Sequence, residues 1–194
     1  MIKIPDFVLS HLIVNNHIGK TRTLIIGENY PGGNYAATYF YRSIPGCPGG
    51  PAVGNPKAFF TNLCNVLLVP HLNLDGGALT EFERLNKFLE NGFLLIDTQD
   101  NLIEPQNPAA LTPQEIDDLI NSILLINPQN IIFLTENNQN VINSISLHPL
   151  FKRIEPKIIY NILKKRHWFC FPSAPANPNL FKDEVEFSRQ FYFI

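Results

Sequence analysis

Charge is scarce in this chain. Asp, Glu, Lys and Arg make up 16% of 194 residues and leave a net of −2, which excludes a broad basic surface and confines any nucleic-acid contact to a local patch. Cysteine is scarcer still: Cys47, Cys64 and Cys170 are odd in number and form no Cys-x-x-Cys pair. Neither a disulfide framework nor a zinc or iron–sulfur site follows from them, so reduced thiols in a cytoplasmic protein, with no metal and no cofactor, are expected. No apolar run approaches the roughly 18 residues of a membrane span, and the start MIKIPDFVLSHLIVNN lacks the basic and long apolar regions of a signal peptide. No membrane partner is expected. Gly-Lys-Ser/Thr and Gly-x-Ser-x-Gly are also missing, and Gly27, Gly32 and Gly33 miss the dinucleotide spacing, which argues against a P-loop, a hydrolase elbow and a dinucleotide fingerprint. Nothing resembles a linker, and residues 1–194 read as one domain.

What is present centres on Thr21 to Ser43, TRTLIIGENYPGGNYAATYFYRS. Leu24, Ile25 and Ile26 form a short β-branched run that reads as a buried strand ended by Gly27. Glu28, Asn29 and Tyr30 precede Pro31-Gly32-Gly33, and Ala36 to Arg42, free of Gly and Pro, suits a helical turn carrying Phe40 and Tyr41. A strand, tight loop and helix in that order put the loop outside the carboxyl end of a strand, where ligands bind in open α/β sheets. Asn29 offers an uncharged donor and acceptor, and Phe40 and Tyr41 offer flat faces to a ring. A merely structural turn is the plain alternative.

Elsewhere the pattern alternates. Phe7, Val8, Leu12 and Ile13 predict a packing helix over 5–15, in which His11 and His17 read as packing residues; Ser43 to Asn55 is a Pro/Gly-rich excursion that either walls a pocket or lies on the surface. Asn55-Pro56 starts a helix with Phe59, Phe60, Leu63 and Cys64 on its apolar face. Thr80 to Glu83 and Thr112 to Glu115 are capping boxes for two more helices, the first stopping at Asn91-Gly92 and the second at Asn127-Pro128. Phe93 to Ile96, ending at Asp97, and Ile131 to Leu134 read as the second and third strands. Val141, Ile142 and Ile145 mark a helix. Ile158, Ile159, Ile162 and Leu163 predict another, ending in Lys164-Lys165-Arg166-His167, a basic cluster explained either by the helix dipole or by a phosphate contact. Trp168 to Phe171 is the fourth strand, leaving through the stiff loop Phe171 to Pro178. Four strand–helix alternations predict a three-layer α/β/α sandwich around a four-stranded parallel sheet, with Asn29, Asp97 and the loop at 171–175 converging at one edge.

Gly27-Glu28-Asn29-Tyr30-Pro31-Gly32, followed by Ala36-Ala37-Thr38 and Phe40, resembles the first motif of the uracil-DNA glycosylase superfamily, above all its mismatch-specific and single-strand-selective branches. Phe171-Pro172-Ser173-Ala174-Pro175 is similar to the last motif, and Gly92 to Asp97 to the strand ending in the base-reading asparagine. The resemblance spans about residues 21 to 190. It implies a fold that flips a damaged base from DNA and hydrolyses its N-glycosidic bond. Asn29 would hold the attacking water, Phe40 would stack on the base, and Gly27, Glu28, Tyr30 and Asp97 would complete the base site. Phe171, Pro172 and Ser173 would grip DNA phosphate. Stacking one base is worth about 1–3 kcal/mol, comparable with the cost of unstacking it.

The departures carry chemistry of their own. Tyr30 is inserted before Pro31, altering the turn. Asp97 replaces an asparagine, and a carboxylate only accepts, so it repels the uracil O4 and favours an edge presenting N–H donors. Phe171 stands where the histidine would be, removing a donor to the departing base, a loss of about a hundredfold to a thousandfold in rate. Two readings follow: a DNA glycosylase acting as a monomer on a modified base, or a non-catalytic member of the same fold that binds nucleic acid or a nucleobase.

Overall fold

Runs of Ile, Leu and Phe too apolar for a solvated face become the strands of a fully covered sheet. The computed structural model describes residues 4–29, 40–47, 58–72, 79–99, 111–134, 138–170 and 177–192. Its strands are β1 (Thr23–Asn29), β2 (Phe93–Gln99), β3 (Asn130–Leu134) and β4 (Trp168–Phe169). All pairings are parallel, in the order β2-β1-β3-β4. Thr23 of β1 faces Phe93 on one side and Asn130 on the other, and Phe133 of β3 faces Trp168. β1 runs through Gly27 to Asn29 instead of stopping at the glycine.

The helices are α1 (Asp6–Val14), α2 (Ala58–Leu72), α3 (Glu81–Glu90), α4 (Pro113–Ile126), α5 (Asn138–Ile145) and α6 (Asn177–Tyr192). α2 packs on α3 and α6, while α4 packs on α5. These two sets sandwich the sheet as a three-layer α/β/α fold. Both capping boxes form, each threonine accepting from the backbone N–H three residues on while the glutamate returns to the threonine N–H. Asn127 ends α4 in the left-handed region. Gly92, at φ +80°, stops α3, and its carbonyl accepts from the N–H groups of Arg22 and Thr23 at 2.7 and 2.9 Å, so the helix stop fixes the start of β1.

Three expectations change. Ile13 and Val14 of α1 are exposed, at 62% and 83%; only Val8 and Leu12, one turn apart, are fully buried. Ile158 to Leu163 is not a helix. Ile158 bridges Ile131 in parallel, and the Ile159 N–H donates to the Ile131 carbonyl at 2.9 Å, because the open edge of β3 satisfies this β-branched pair. The chain then leaves the edge, turns back through an antiparallel bridge between Asn161 and Arg166, and rejoins β3 at Trp168. Lys164-Lys165-Arg166-His167 thus sits on an excursion from a split edge strand, and the helix dipole does not explain it. Lastly, α6 starts at the end of the expected loop and runs through residues to which the sequence reading assigns no element: its buried positions Phe181, Glu184, Val185 and Ser188 have helical spacing, but two of the four are polar.

Candidate functional site

At the carboxyl ends of β1 and β2, Gly27 lies in register with Asp97 and Asn29 with Gln99. The Asp97 carboxylate crosses Gly27 so closely that a Cβ there would collide with Asp97 Oδ1. A side chain at position 27 would force the Asp97 carboxylate to turn away, so the glycine is what lets the acid of the second strand lie against the first. The side chains of Glu28 and Asn29, all of Tyr30, and Phe171, Pro172 and Ser173 lie outside the described residues.

Phe40 and Tyr41, expected to offer ring faces, are interior. Phe40 is 4% exposed, its ring set among Tyr41, Phe60 and Phe88 at centroid distances of 4.9, 5.0 and 5.2 Å. So covered, it presents no face to a base. Tyr41 closes the outer edge of β2: its hydroxyl donates to the Leu95 carbonyl at 2.8 Å and accepts from the Leu95 N–H at 2.9 Å. Both backbone groups of an edge strand are thereby satisfied by one side chain. Burial pushes the Tyr41 phenol well above its ordinary value, and the nearby Asp97 charge adds to the shift. The phenol stays protonated. Arg42 anchors the same segment to the first turn of α3, donating to both Glu81 oxygens at 2.7 and 2.6 Å.

Sequence reasoning misses Asn138. β1 and β3 lie on opposite sides of the point where strand order reverses, and Asn138, wholly buried at the start of α5, donates from Nδ2 to the Ile26 carbonyl of β1 and the Leu134 carbonyl of β3. Among the described residues its buried Oδ1 has no hydrogen-bond partner. The only sequence signal is a run of amides, Asn137-Asn138-Gln139, shortly after an apolar strand.

Where β4 ends, Glu184 of α6 is fully buried and accepts from Arg166 at 2.8 Å and from the Cys170 N–H at 2.8 Å. Arg166 also lies over the Trp168 ring, 3.3 Å from its centroid. This cluster holds the last backbone group before the Phe171 to Pro175 segment. Arg166, read from sequence as a dipole or phosphate residue, is committed to it. The cysteines are poor nucleophiles, since burial pushes all three thiols up, Cys64 to about 12. Among the described residues no three His, Cys, Asp or Glu side chains converge as metal ligands, and no helix is long and apolar enough to cross a membrane.

Among the described residues the arrangement supplies a carboxylate, Asp97, at the carboxyl edge, a strand end carrying Asn29 beside it, and a buried amide at the switch point. Comparison with protein-family models, curated proteins and solved structures finds no match.

Proposed function

We propose that this protein is a glycosylase-like binder of DNA that receives a flipped uracil or other modified base at the carboxyl ends of β1 and β2 and hydrolyses its N-glycosidic bond. The observation that carries the reading is the contact of Asp97 with Gly27. It joins the segment resembling the catalytic motif to the one resembling the base-reading motif. With strands about 4.8 Å apart and a rise of about 3.3 Å per residue, Asn29 and Asp97 have backbones roughly 8 Å apart, a distance one base bridges from its pairing edge to its sugar.

In this chemistry Asn29 orients a water through its amide, the water oxygen bonds to C1′, and the C1′–N bond breaks with its electron pair leaving on the base. The water's proton is then taken up by the base or by solvent. Asp97 accepts a hydrogen bond from the base, which selects edges with N–H donors over the uracil O4. The protein works as a cytoplasmic monomer without metal or cofactor. A second reading, a non-catalytic nucleobase-binding protein, is favoured by one observation: the interior position of Phe40.

Single-turnover base release, with protein in excess over oligonucleotides bearing uracil, hypoxanthine, xanthine or alkylated bases, tests the proposal. Release of one base by the natural protein, reduced at least a hundredfold in Asn29→Ala, supports hydrolysis. Binding without release from any of them supports the second reading.

A further inference from the structure

The cations of this chain are not spread evenly. Residues 148–167 hold six of its fifteen Lys and Arg residues and one carboxylate, Glu155, a net of +5 in a chain of −2. Arg166 is committed to Glu184, and Lys157 donates to the Asn127 side chain. Lys152, Arg153, Lys164 and Lys165 are exposed, and among the described residues none of the four has a carboxylate partner.

The fold brings the two halves of this segment to one place. Short 3-10 turns at Phe151–Arg153 and Glu155–Lys157 lead into Ile158, and the edge excursion returns at His167. Phe151, Glu155, Ile158 and His167 line one cleft, closed on its far side by Asn143 and Gln139 of α5. Its volume of about 220 Å³ falls below the roughly 300–1,000 Å³ typical of small-molecule sites. A groove of this size, with Lys152, Arg153, Lys164 and Lys165 close in sequence to its lining residues and with rings at Phe151 and at His167, the latter packed edge-on against Tyr160, fits a strand that passes through rather than a ligand enclosed. Basic side chains tracking a backbone with aromatic rings interleaved are the chemistry of single-stranded nucleic acid binding.

We propose that this edge of the molecule, formed by the 3-10 turns and the excursion from β4, binds single-stranded nucleic acid through phosphate contacts at Lys152, Arg153, Lys164 and Lys165. It is a backbone-reading surface outside the base site and does not depend on base hydrolysis.

The test is fluorescence anisotropy with an unmodified, labelled 15-nucleotide single strand between 50 and 200 mM salt. Four phosphate contacts on a single strand give a log–log salt slope of about −2.8, a loss of about fiftyfold in affinity over that range. Lys152→Gln/Arg153→Gln and Lys164→Gln/Lys165→Gln should each lower the slope to about −1.4 and weaken binding at 50 mM salt at least tenfold. Lys164→Arg/Lys165→Arg should bind as the natural protein does. Because the four positions are exposed, unchanged thermal unfolding is expected throughout. Binding unaffected by both glutamine pairs, tighter binding to the matching duplex, or binding to heparin with none to the oligonucleotide would overturn the proposal. Base-release activity is not read in this experiment, so failure of the hydrolytic reading leaves its outcome distinct.

Discussion

The two edge strands of this sheet solve the same problem in opposite ways. β2 is seven residues long, pairs along β1, and has its outer edge closed by a single phenol that satisfies both backbone groups of Leu95. β4 touches β3 through two residues, after an earlier bridge at Ile158 and an excursion that carries Lys164 and Lys165 outward. An unpaired edge invites further strands, and proteins blunt it by covering it, charging it or bending it away. Here one edge is covered and the other is bent and charged. The difference shows where polar function can lie: the β2 side offers a carboxylate over a glycine within an apolar wall, and the β4 side offers cations to solvent.

The covered side breaks most severely through its ring cluster. Phe40→Ala leaves a cavity among Tyr41, Phe60 and Phe88 and should cost about 3–5 kcal/mol in urea unfolding. An unchanged midpoint, with loss of base binding, would make Phe40 a wall of the site instead. On the β4 side, Arg166→Ala strips the buried Glu184 of its partner and should cost about 3 kcal/mol, since an uncompensated buried carboxylate is more damaging than the pair is stabilising. A loss below about 1 kcal/mol, the range of an exposed pair, would mean that the cluster is solvated in solution. Tyr41→Phe is milder, about 1–3 kcal/mol, because it leaves the Leu95 N–H and C=O at the sheet edge without their partner. Hydrogen exchange at the Leu95 amide should accelerate, and unchanged protection would show that this edge is closed by something other than the phenol.

Much of this architecture is legible in the sequence itself. Thr80, Glu83, Thr112 and Glu115 mark two helix starts because a capping box is a local device, complete within four residues. The apolar runs mark the strands for the same reason. What stays hidden depends on distant partners. Ile158 and Ile159 have helical company at Ile162 and Leu163, yet the free edge of β3 claims them. Glu184 and Ser188 interrupt the apolar stripe of α6 because one meets Arg166 and the other is simply enclosed. Within the candidate site, the shared edge of Gly27 and Asp97 follows from strand order. The burial of Phe40 does not, since an aromatic beside a glycine-rich turn suits a binding wall and a core equally well. Asn138 is invisible because its role is to span two strands that diverge.

The base site at Asp97 is tested most directly by single-turnover release from the lesion panel with the natural protein and Asp97→Asn side by side. The amide can donate where the carboxylate only accepts. The expected result is a shift of preference toward uracil in the variant, at the expense of whichever base with N–H donors the natural protein favours. An identical release profile in the two proteins would contradict the placement of the base against Asp97.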